Sequence, residues 1–290
     1  MNVVIPAAGV GSRFLPASRA VPKELLPLGV KPLIHHALEE AERAGFTAAV
    51  VVVSPQKAAI RTYFEPEPRL ERMLQARDDE SGLALLREAA AIAKRLQLRF
   101  VEQPVPSGLG DAVLRSRALA GDMLGVLLPD DVVLSSGHWA QLFGLHQASG
   151  AACLCVRSVS PEEAHRFGVA VCEQSGSGMR VQRLVEKPRP GSVPSRLAIF
   201  GRYVVTADVL DALERLRSRW YAELQLTDGF AAVLDRPPGV LAVPFTAEFF
   251  DSGTPADYAR SITRYAVGAT DQWSIRERTQ RLALSSLGQD

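Results

Sequence analysis

Net charge is what this chain most lacks. Lysines and arginines number 33 against 32 aspartates and glutamates, a formal charge of +1, and no long basic stripe breaks the balance. A general electrostatic field for nucleic acid is therefore missing and no nucleic-acid partner is expected; any phosphate must be held by a few placed cations. Long apolar runs are missing too. The longest, around Ala48 to Val53, falls far short of the ~20 residues that a bilayer demands, so no membrane association is expected. Residues 1–8 carry neither a basic segment nor an extended apolar one, so no secretion signal is expected. Cysteine is scarce: Cys153, Cys155 and Cys172 are odd in number, and the first two share one face of an apolar strand-like run. Without further Cys or His ligands nearby they read as buried thiols and not as a metal site. The cytoplasm is the expected compartment. Internal repeats and low-complexity tracts are also absent.

What is present begins at the N-terminus. With 290 residues and 47% hydrophobic content, the chain can bury a large core as one big domain or a domain plus an extension. A β-branched run, Asn2-Val-Val-Ile-Pro6, leads into Ala7-Ala8-Gly9-Val-Gly11-Ser-Arg13, with Pro22-Lys23-Glu24-Leu-Leu-Pro27 soon after. Gly9 and Gly11 can take backbone angles closed to other residues and let a ligand approach exposed N–H groups. Arg13 and Lys23 add two cations, which makes a polyphosphate cradle at the carboxyl end of a first strand. Two familiar glycine loops are excluded. A dinucleotide fingerprint needs a third glycine where Phe14 stands, and a P-loop needs Gly-Lys-Ser/Thr, which is lacking here. A plain tight turn is the alternative.

Strand-like runs at Val3–Ile5, Val50–Val53, Arg99–Glu102 and Leu124–Leu128 alternate with helical patterns at Pro32–Ala44, Ala58–Phe64 and Leu83–Leu96. This alternation predicts parallel pairing through right-handed crossovers, hence an open α/β sheet with ligands at the strand carboxyl ends. Residues 65–82 are polar and read as a surface loop and helix. A helix is expected over Gly137–Ser149, with His138 and His146 at the surface and no nucleophile partner for either. Shorter strands then follow at Ala151–Val156, Gly168–Cys172, Val181–Val185 and Leu197–Val205, the texture of an antiparallel or mixed extension. Asp257–Val267 reads as helical and residues 271–290 as a tail helix with a frayed end.

Several strand exits carry polar groups. Gln103 precedes the turn Pro-Val-Pro-Ser-Gly108-Leu-Gly110; its amide, both donor and acceptor, could read a pyrimidine edge or simply cap the turn. Val126-Leu-Leu-Pro-Asp130-Asp131 ends in adjacent acids, suited to a Mg²⁺ site or to a helix cap, and strand alternation would point Asp131 elsewhere. Phe167-Gly168-Val169 and Val185-Glu186-Lys187-Pro188 could offer acceptors to sugar hydroxyls and a cation to a phosphate, or be ordinary polar exits. Glu223-Leu-Gln-Leu-Thr-Asp228 opens a helix, and Phe249-Phe-Asp251-Ser-Gly-Thr-Pro255 is a further exit bearing a carboxylate, read as a metal ligand, a helper positioning Lys187, or a helix cap.

In this order, Gly9-x-Gly-x-Arg-x-Leu-Pro, Pro-Lys-Glu-x-x-Pro-Leu, Gln103 with Gly-Leu-Gly, Leu-Pro-Asp130, Phe-Gly-Val and Glu-Lys-Pro resemble the sugar-1-phosphate nucleotidylyltransferases over residues 2–268. The wording is most similar to the bacterial UTP–glucose-1-phosphate uridylyltransferases (UDP-glucose pyrophosphorylases). The length of 65–82 supports them over the thymidylyltransferases, whereas Phe250-Asp-Ser-Gly-Thr-Pro255 leans toward the latter. The resemblance implies an α/β fold with a Rossmann-like mixed, mainly parallel central sheet flanked by helices and a smaller β-rich sugar-binding extension, the nucleotide-diphospho-sugar transferase type. It implies a nucleotide-binding half (1–150), a sugar-binding half (151–268) and a C-terminal helical tail (269–290). Ala7, Ala8, Gly9, Gly11, Gln103 and Gly108 would bind the nucleotide, and Gly168, Glu186 and Glu223 the sugar. Arg13, Lys23 and Lys187 would be catalytic, and Asp130 and Asp251 would hold Mg²⁺. The implied reaction is Mg²⁺-dependent in-line transfer of a uridylyl group from UTP to glucose 1-phosphate, in a homo-oligomer (dimer or tetramer). A dTTP- or CTP-using pyrophosphorylase and a non-catalytic nucleotide-sugar-sensing subunit are the alternatives. Departures from the family wording are Ser107 for Lys, Asp111 for His, Arg196 for Asn beside the expected sugar pocket, and Ala222 for an acid.

Overall fold

The computed structural model of the protein describes residues 1–175, 178–192, 195–218 and 223–268. Strand β1 (Asn2–Pro6) leads through 3₁₀ turns at Ser12–Phe14, Ala17–Arg19 and Lys23–Leu25 to a tiny ribbon, β2 (Pro27–Leu28) and β3 (Lys31–Pro32), and then to α1 (Leu33–Arg43). Next come β4 (Ala48–Val53), α2 (Ala58–Tyr63), α3 (Pro68–Gln75), α4 (Glu80–Arg95), β5 (Arg99–Glu102), α5 (Leu109–Ala120), β6 (Leu124–Leu127) and β7 (Asp131–Val133). The second half runs α6 (Gly137–Ser149), β8 (Ala152–Ser158), β9 (Gly168–Ser175), β10 (Gly178–Glu186) and β11 (Leu197–Val205). It continues with α7 (Ala207–Arg217), α8 (Leu226–Ala231), β12 (Val240–Pro244) and β13 (Phe249–Asp251). A last helix covers 255–268. The expected tail, 269–290, and the Ala222 departure lie outside the described residues.

Nine strands form one mixed sheet in the order β5-β4-β1-β6-β11-β8-β12-β10-β9. The first four are parallel, as βαβ alternation requires. Strand β11 enters antiparallel between β6 and β8, β12 runs parallel to β8, and β10 and β9 close the antiparallel end. Hydrogen bonding is thus continuous from the α/β half into the β-rich half.

Both faces of the first strands are covered. Alternate residues point to opposite sides, so Val4, Val50 and Val126 join Val113, Leu213 and Phe230 in one core. Val3, Ile5 and Val51 join Leu38, Ile92 and Leu142 in the other. This two-sided burial is why these runs are uninterrupted apolar sequence. Helix ends follow local chemistry. Gly45 (φ 83°) and Gly150 (φ 70°) take the left-handed conformation just past α1 and α6. Helix α4 starts three residues before the Leu83 expected from periodicity, because the Asp79 carboxylate accepts the Gly82 N–H at 2.8 Å and caps the helix.

Two expectations need correction. The apolar run before Asp130 and Asp131 is not one strand: β6 stops at Leu127, and Asp131 begins β7, which pairs antiparallel with β13. His138 is buried, not exposed, because the first turn of α6 faces α1, where its Nε2 lies 3.0 Å from Glu40 Oε1. Cys153 and Cys155 are buried free thiols, each pushed up to about 12 by burial. Among the described residues no helix is long and apolar enough to cross a membrane.

Helix α1 also buries a histidine that must stay neutral. His35 lies 2.9 Å (Nδ1) from the Tyr63 hydroxyl. Burial, with Lys31 and His36 adding to it, pulls its pKa down to about 4 against the attraction of Glu39. A depressed base means that the unfolded chain takes the proton first, so stability is lost as pH falls from about 6.5 toward 4. The effect should reach about 2 kcal/mol at pH 5. Glu39, pulled down to about 2 because His36 and Lys31 outweigh its burial, loses its contribution only below about pH 4.5, a separate window. The melting temperature should therefore drop between pH 7 and pH 5, and His35→Gln, which can still bond Tyr63, should flatten that slope. An unchanged slope in the variant would rule His35 out as its source.

Candidate active site

The glycine loop leaves β1 firmly anchored. The Ala7 N–H bonds Val52 O at 2.7 Å and its carbonyl accepts Lys57 Nζ at 2.8 Å, so Ala7 is buried in the sheet and both its backbone groups are taken. Lys57 also grips buried Glu24 at 2.7 and 2.9 Å, tying the loop to the turn that carries Lys23. Ala8, Gly9 and Gly11 line a cavity of about 450 Å³ with Lys23, Gln103, Gly108, Asp130 and Lys187. A Cβ at Gly9 would meet nothing within 4 Å, so the backbone there is open to a ligand. Gly11 has φ 69° and initiates the turn that projects Arg13.

Lys23 Nζ donates to Asp130 Oδ2 at 2.7 Å. Burial opposes both charges, yet their mutual attraction wins: the ammonium is raised and the carboxyl lowered from their ordinary values. Asp130 also lines a second, adjoining cavity of about 250 Å³, with Arg13, Asp131, Gly168, Glu186, Lys187 and Asp251 among its walls. Leu109, Leu128, Asp130, Lys187 and Gln225 are common to both cavities, so they share one wall.

Asp131 faces this second cavity, contrary to the alternation argument. The chain between Leu127 and Asp131 is not regular strand, so face counting fails there. The ribbon β7–β13 then sets Asp131 directly opposite Asp251. Burial first, then the charges of Asp130 and Asp251, push Asp131 up to about 7. Asp251 is raised by burial first and then by the charges of Asp257 and Asp130, although its Oδ1 accepts the Gly253 N–H at 2.8 Å. Crowded acids beside a cleft are a common functional signature.

On another wall of the second cavity, a Cβ at Gly168 would stand 3.0 Å from both Glu186 Oε2 and Ile199 Cδ1, so glycine lets Glu186 sit close. Thr227 Oγ1 donates to Glu186 Oε2 at 3.2 Å. Lys187 takes φ 42°, a left-handed conformation unusual for lysine. Its side chain is 57% exposed at the junction of the two cavities, 3.8 Å from Glu186 Oε1.

Gln103 is buried and donates its Nε2 to Gly108 O at 3.0 Å and to Asp111 Oδ2 at 2.8 Å. Gly108 has φ 99°, and a Cβ there would stand 2.2 Å from Leu224 O, so only glycine fits. Leu224 N–H bonds Ser107 O and Gly110 N–H bonds Leu224 O, both at 2.8 Å. This zipper carries Glu223 to the cavity lined by the glycine loop, away from Gly168 and Glu186, with which the resemblance grouped it. Arg196 lines neither cavity; it faces a separate small hollow with His165 and Arg189.

Residues that local reading did not single out include Arg166, which lines the second cavity and donates to Asp257 at 2.7 Å, as well as Tyr203, Gln225 and Thr227. Thr227 lies in a quoted motif and was within reach; Arg166 directly precedes Phe167-Gly168 and carried no local signal.

Comparisons with known proteins agree over nearly the whole chain. The family model described as nucleotidyl transferase matches residues 2–267. A UTP–glucose-1-phosphate uridylyltransferase of Staphylococcus saprophyticus is 36% identical over 269 residues, 92% of each chain. A UTP-bound UGPase from Acinetobacter baumannii superimposes with a TM-score of 0.82 at 32% identity, covering 95% of this chain and 98% of that one. A UDP-glucose pyrophosphorylase complexed with UDP-glucose gives 0.78 at 30% identity, covering 92% and 98%.

Behind the acids lies a buried support. Arg202, fully buried, bonds both Glu40 oxygens at 2.6 Å and donates to the carbonyls of Leu128 (3.1 Å) and Asp131 (2.6 Å). Glu40 also accepts from Trp139 Nε1 at 2.8 Å. Arg202→Met should cost about 3–5 kcal/mol in urea unfolding, because it strands the Glu40 charge. Adding Glu40→Gln should recover part of the loss. A single-variant cost under about 1 kcal/mol would show that the acid loop is held by something else.

Proposed function

The chain belongs to the nucleotidyl transferase family, and from that premise we propose that it transfers a uridylyl group from UTP to glucose 1-phosphate, giving UDP-glucose and pyrophosphate. The observation that carries this reading is the shared wall. The glycine loop with Lys23 and the Gly168–Glu186 pocket open onto adjoining cavities, and Lys187 and Asp130 line both. Two phosphorylated substrates held there meet phosphate to phosphate.

The chemistry asks for alignment and charge neutralisation. A phosphate oxygen of the sugar phosphate attacks the α-phosphorus of UTP; the bond to the α,β-bridging oxygen breaks, and pyrophosphate leaves with that electron pair. The attacking dianion is already nucleophilic, so no side chain need remove a proton. We assign Lys187 to the attacking phosphate, its exposed ammonium sitting at the junction, and Lys23 in the glycine-loop cavity, with Arg13 reaching from the wall of the adjoining one, to the triphosphate and the leaving pyrophosphate. The backbone around Ala8, Gly9 and Gly11 cradles the phosphates, Gln103 and Gly108 face the base, and Gly168 and Glu186 face the sugar. In this division residues 1–150 serve the nucleotide and 151–268 the sugar.

The donor set fits a magnesium ion. Asp130, Asp131 and Asp251 crowd one cavity, and the charges of Asp130 and Asp251 add to burial in raising Asp131. Among the described residues no three His, Cys, Asp or Glu side chains form a complete metal cage. One or two carboxylates completed by substrate phosphates and water is how magnesium is usually held, and Asp130 and Asp251 would supply them. Held there, such an ion would supply positive charge against the phosphates. The unpaired cysteines support placing the enzyme in the cytoplasm.

Pyrophosphate release measured across UTP, dTTP, CTP and ATP with several hexose 1-phosphates should be fastest for UTP with glucose 1-phosphate and should vanish with EDTA. No release with UTP would overturn the reading in favour of a non-catalytic binding protein. Lys187→Ala should lower kcat by roughly 10²-fold or more; a near-normal rate would remove Lys187 from its assigned role.

A further inference from the structure

One buried carboxylate beside the nucleotide-side cavity has no part in the scheme above. Asp111, on the first turn of α5, has only 3% of its side chain exposed. Its Oδ2 accepts Arg115 Nε at 2.7 Å and Gln103 Nε2 at 2.8 Å, and its Oδ1 lies 3.3 Å from Arg217 Nε on α7. A helix-stabilising ion pair would explain Arg115, four residues on. It does not explain why the carboxylate also takes the amide of the one residue expected to read the base.

The consequence for Gln103 is directional. The groups it meets on this side, Asp111 Oδ2 and Gly108 O, only accept hydrogen bonds, and each takes one N–H of its NH₂. Turning the amide over would set its oxygen against two others and leave a buried carboxylate short of a donor. Among the described residues no group donates to Gln103 Oε1, and Gln103 lines the cavity. The site therefore offers a fixed acceptor. Uracil and thymine present an N3–H donor to such a group. Cytosine presents a bare N3 lone pair, which would face the oxygen unpaired.

We propose that Asp111 is a specificity-determining positioning residue: by holding the Gln103 amide with its oxygen toward the base, it selects an N3–H pyrimidine nucleotide over a cytidine one. The inference rests on the uridylyl-transfer reading and deepens it by naming how the base is chosen.

The test is the ratio of kcat/KM for UTP to that for CTP, at saturating glucose 1-phosphate and magnesium. It is measured in the wild type, Asp111→Asn, Gln103→Leu and the double variant, with thermal melts to establish folding. Asparagine can donate to Gln103, so the amide can turn. The ratio should fall tenfold or more in Asp111→Asn, chiefly through a higher KM for UTP, with kcat for UTP within a few-fold of wild type. In the Gln103→Leu background the same change should alter the ratio less than twofold. An unchanged ratio in a folded Asp111→Asn, or an equal drop in both backgrounds, would overturn the positioning role. If neither Asp111→Asn nor Asp111→Ser folds, Asp111 is structural and the proposal fails. Inactivity of the wild type with UTP would instead bring down the uridylyl-transfer reading, and this inference with it.

Discussion

The arginine at position 202 sits where water cannot reach it, and the active-site architecture depends on how its five donors are used. Both oxygens of Glu40 neutralise it, and its remaining contacts go to backbone carbonyls on the far side. Glu40 belongs to a helix of the α/β half and Arg202 to the strand that begins the crossing into the β-rich half. The carbonyls are those of Leu128 and Asp131, which bracket Asp130. One guanidinium thus fixes helix, strand and acid loop relative to one another. A fully buried ion pair rarely adds stability over an apolar equivalent. Its value here is positional: it sets a carboxylate where strand geometry alone would not.

The acids so placed are held at a cost. Asp131 and Asp251 stand opposite each other across a ribbon with Asp130 nearby, and part of that repulsion is offset by Lys23. Lys187 adds a left-handed backbone at a non-glycine position, a conformation that usually survives only where surrounding structure imposes it. Here the Lys187 N–H is held by Phe167 O at 3.1 Å, so the Phe-Gly-Val strand start dictates where the lysine points. Strained and repelling groups gathered around one pair of cavities are the pattern of a site arranged for ligands and not for its own stability.

What could be read from sequence follows a physical line. The strands β1, β4 and β6 were legible because burial on both faces leaves an uninterrupted apolar run, and α6 because Trp139, Leu142 and Leu145 recur at helical spacing; the edge strand β5, with Arg99 and Glu102 at its ends, is only half-buried, short of the two-sided burial that an apolar run suggests. The loop residues Gly9, Gly11, Arg13 and Lys23 and the exits at Asp130, Glu186 and Asp251 were legible because turns and strand ends carry local chemistry. What escaped depends on contacts far apart in the chain. The Glu40–Arg202 pair spans 162 residues, His138 is buried against Glu40 and the Phe245 ring, and the grip of Asp111 on Gln103 requires a helix to fold back on the preceding strand. Alternation misplaced Asp131 because it was applied beyond the end of the regular strand. Glu223 went to the other cavity because backbone bonds to Ser107 and Gly110, invisible in its own motif, govern its position.

That last attachment joins the walls of the two cavities mechanically. Leu224 is laced by main-chain bonds to the turn beneath the expected base, and a residue later the same segment caps α8, which brings Thr227 to Glu186. With only a hydrogen atom's clearance at Gly108, there is no slack in the lacing. The turn at Gly108 and the helix start that carries Thr227 thus form one backbone-bonded unit, so facing walls of the two cavities stand on a single support and keep a fixed spacing.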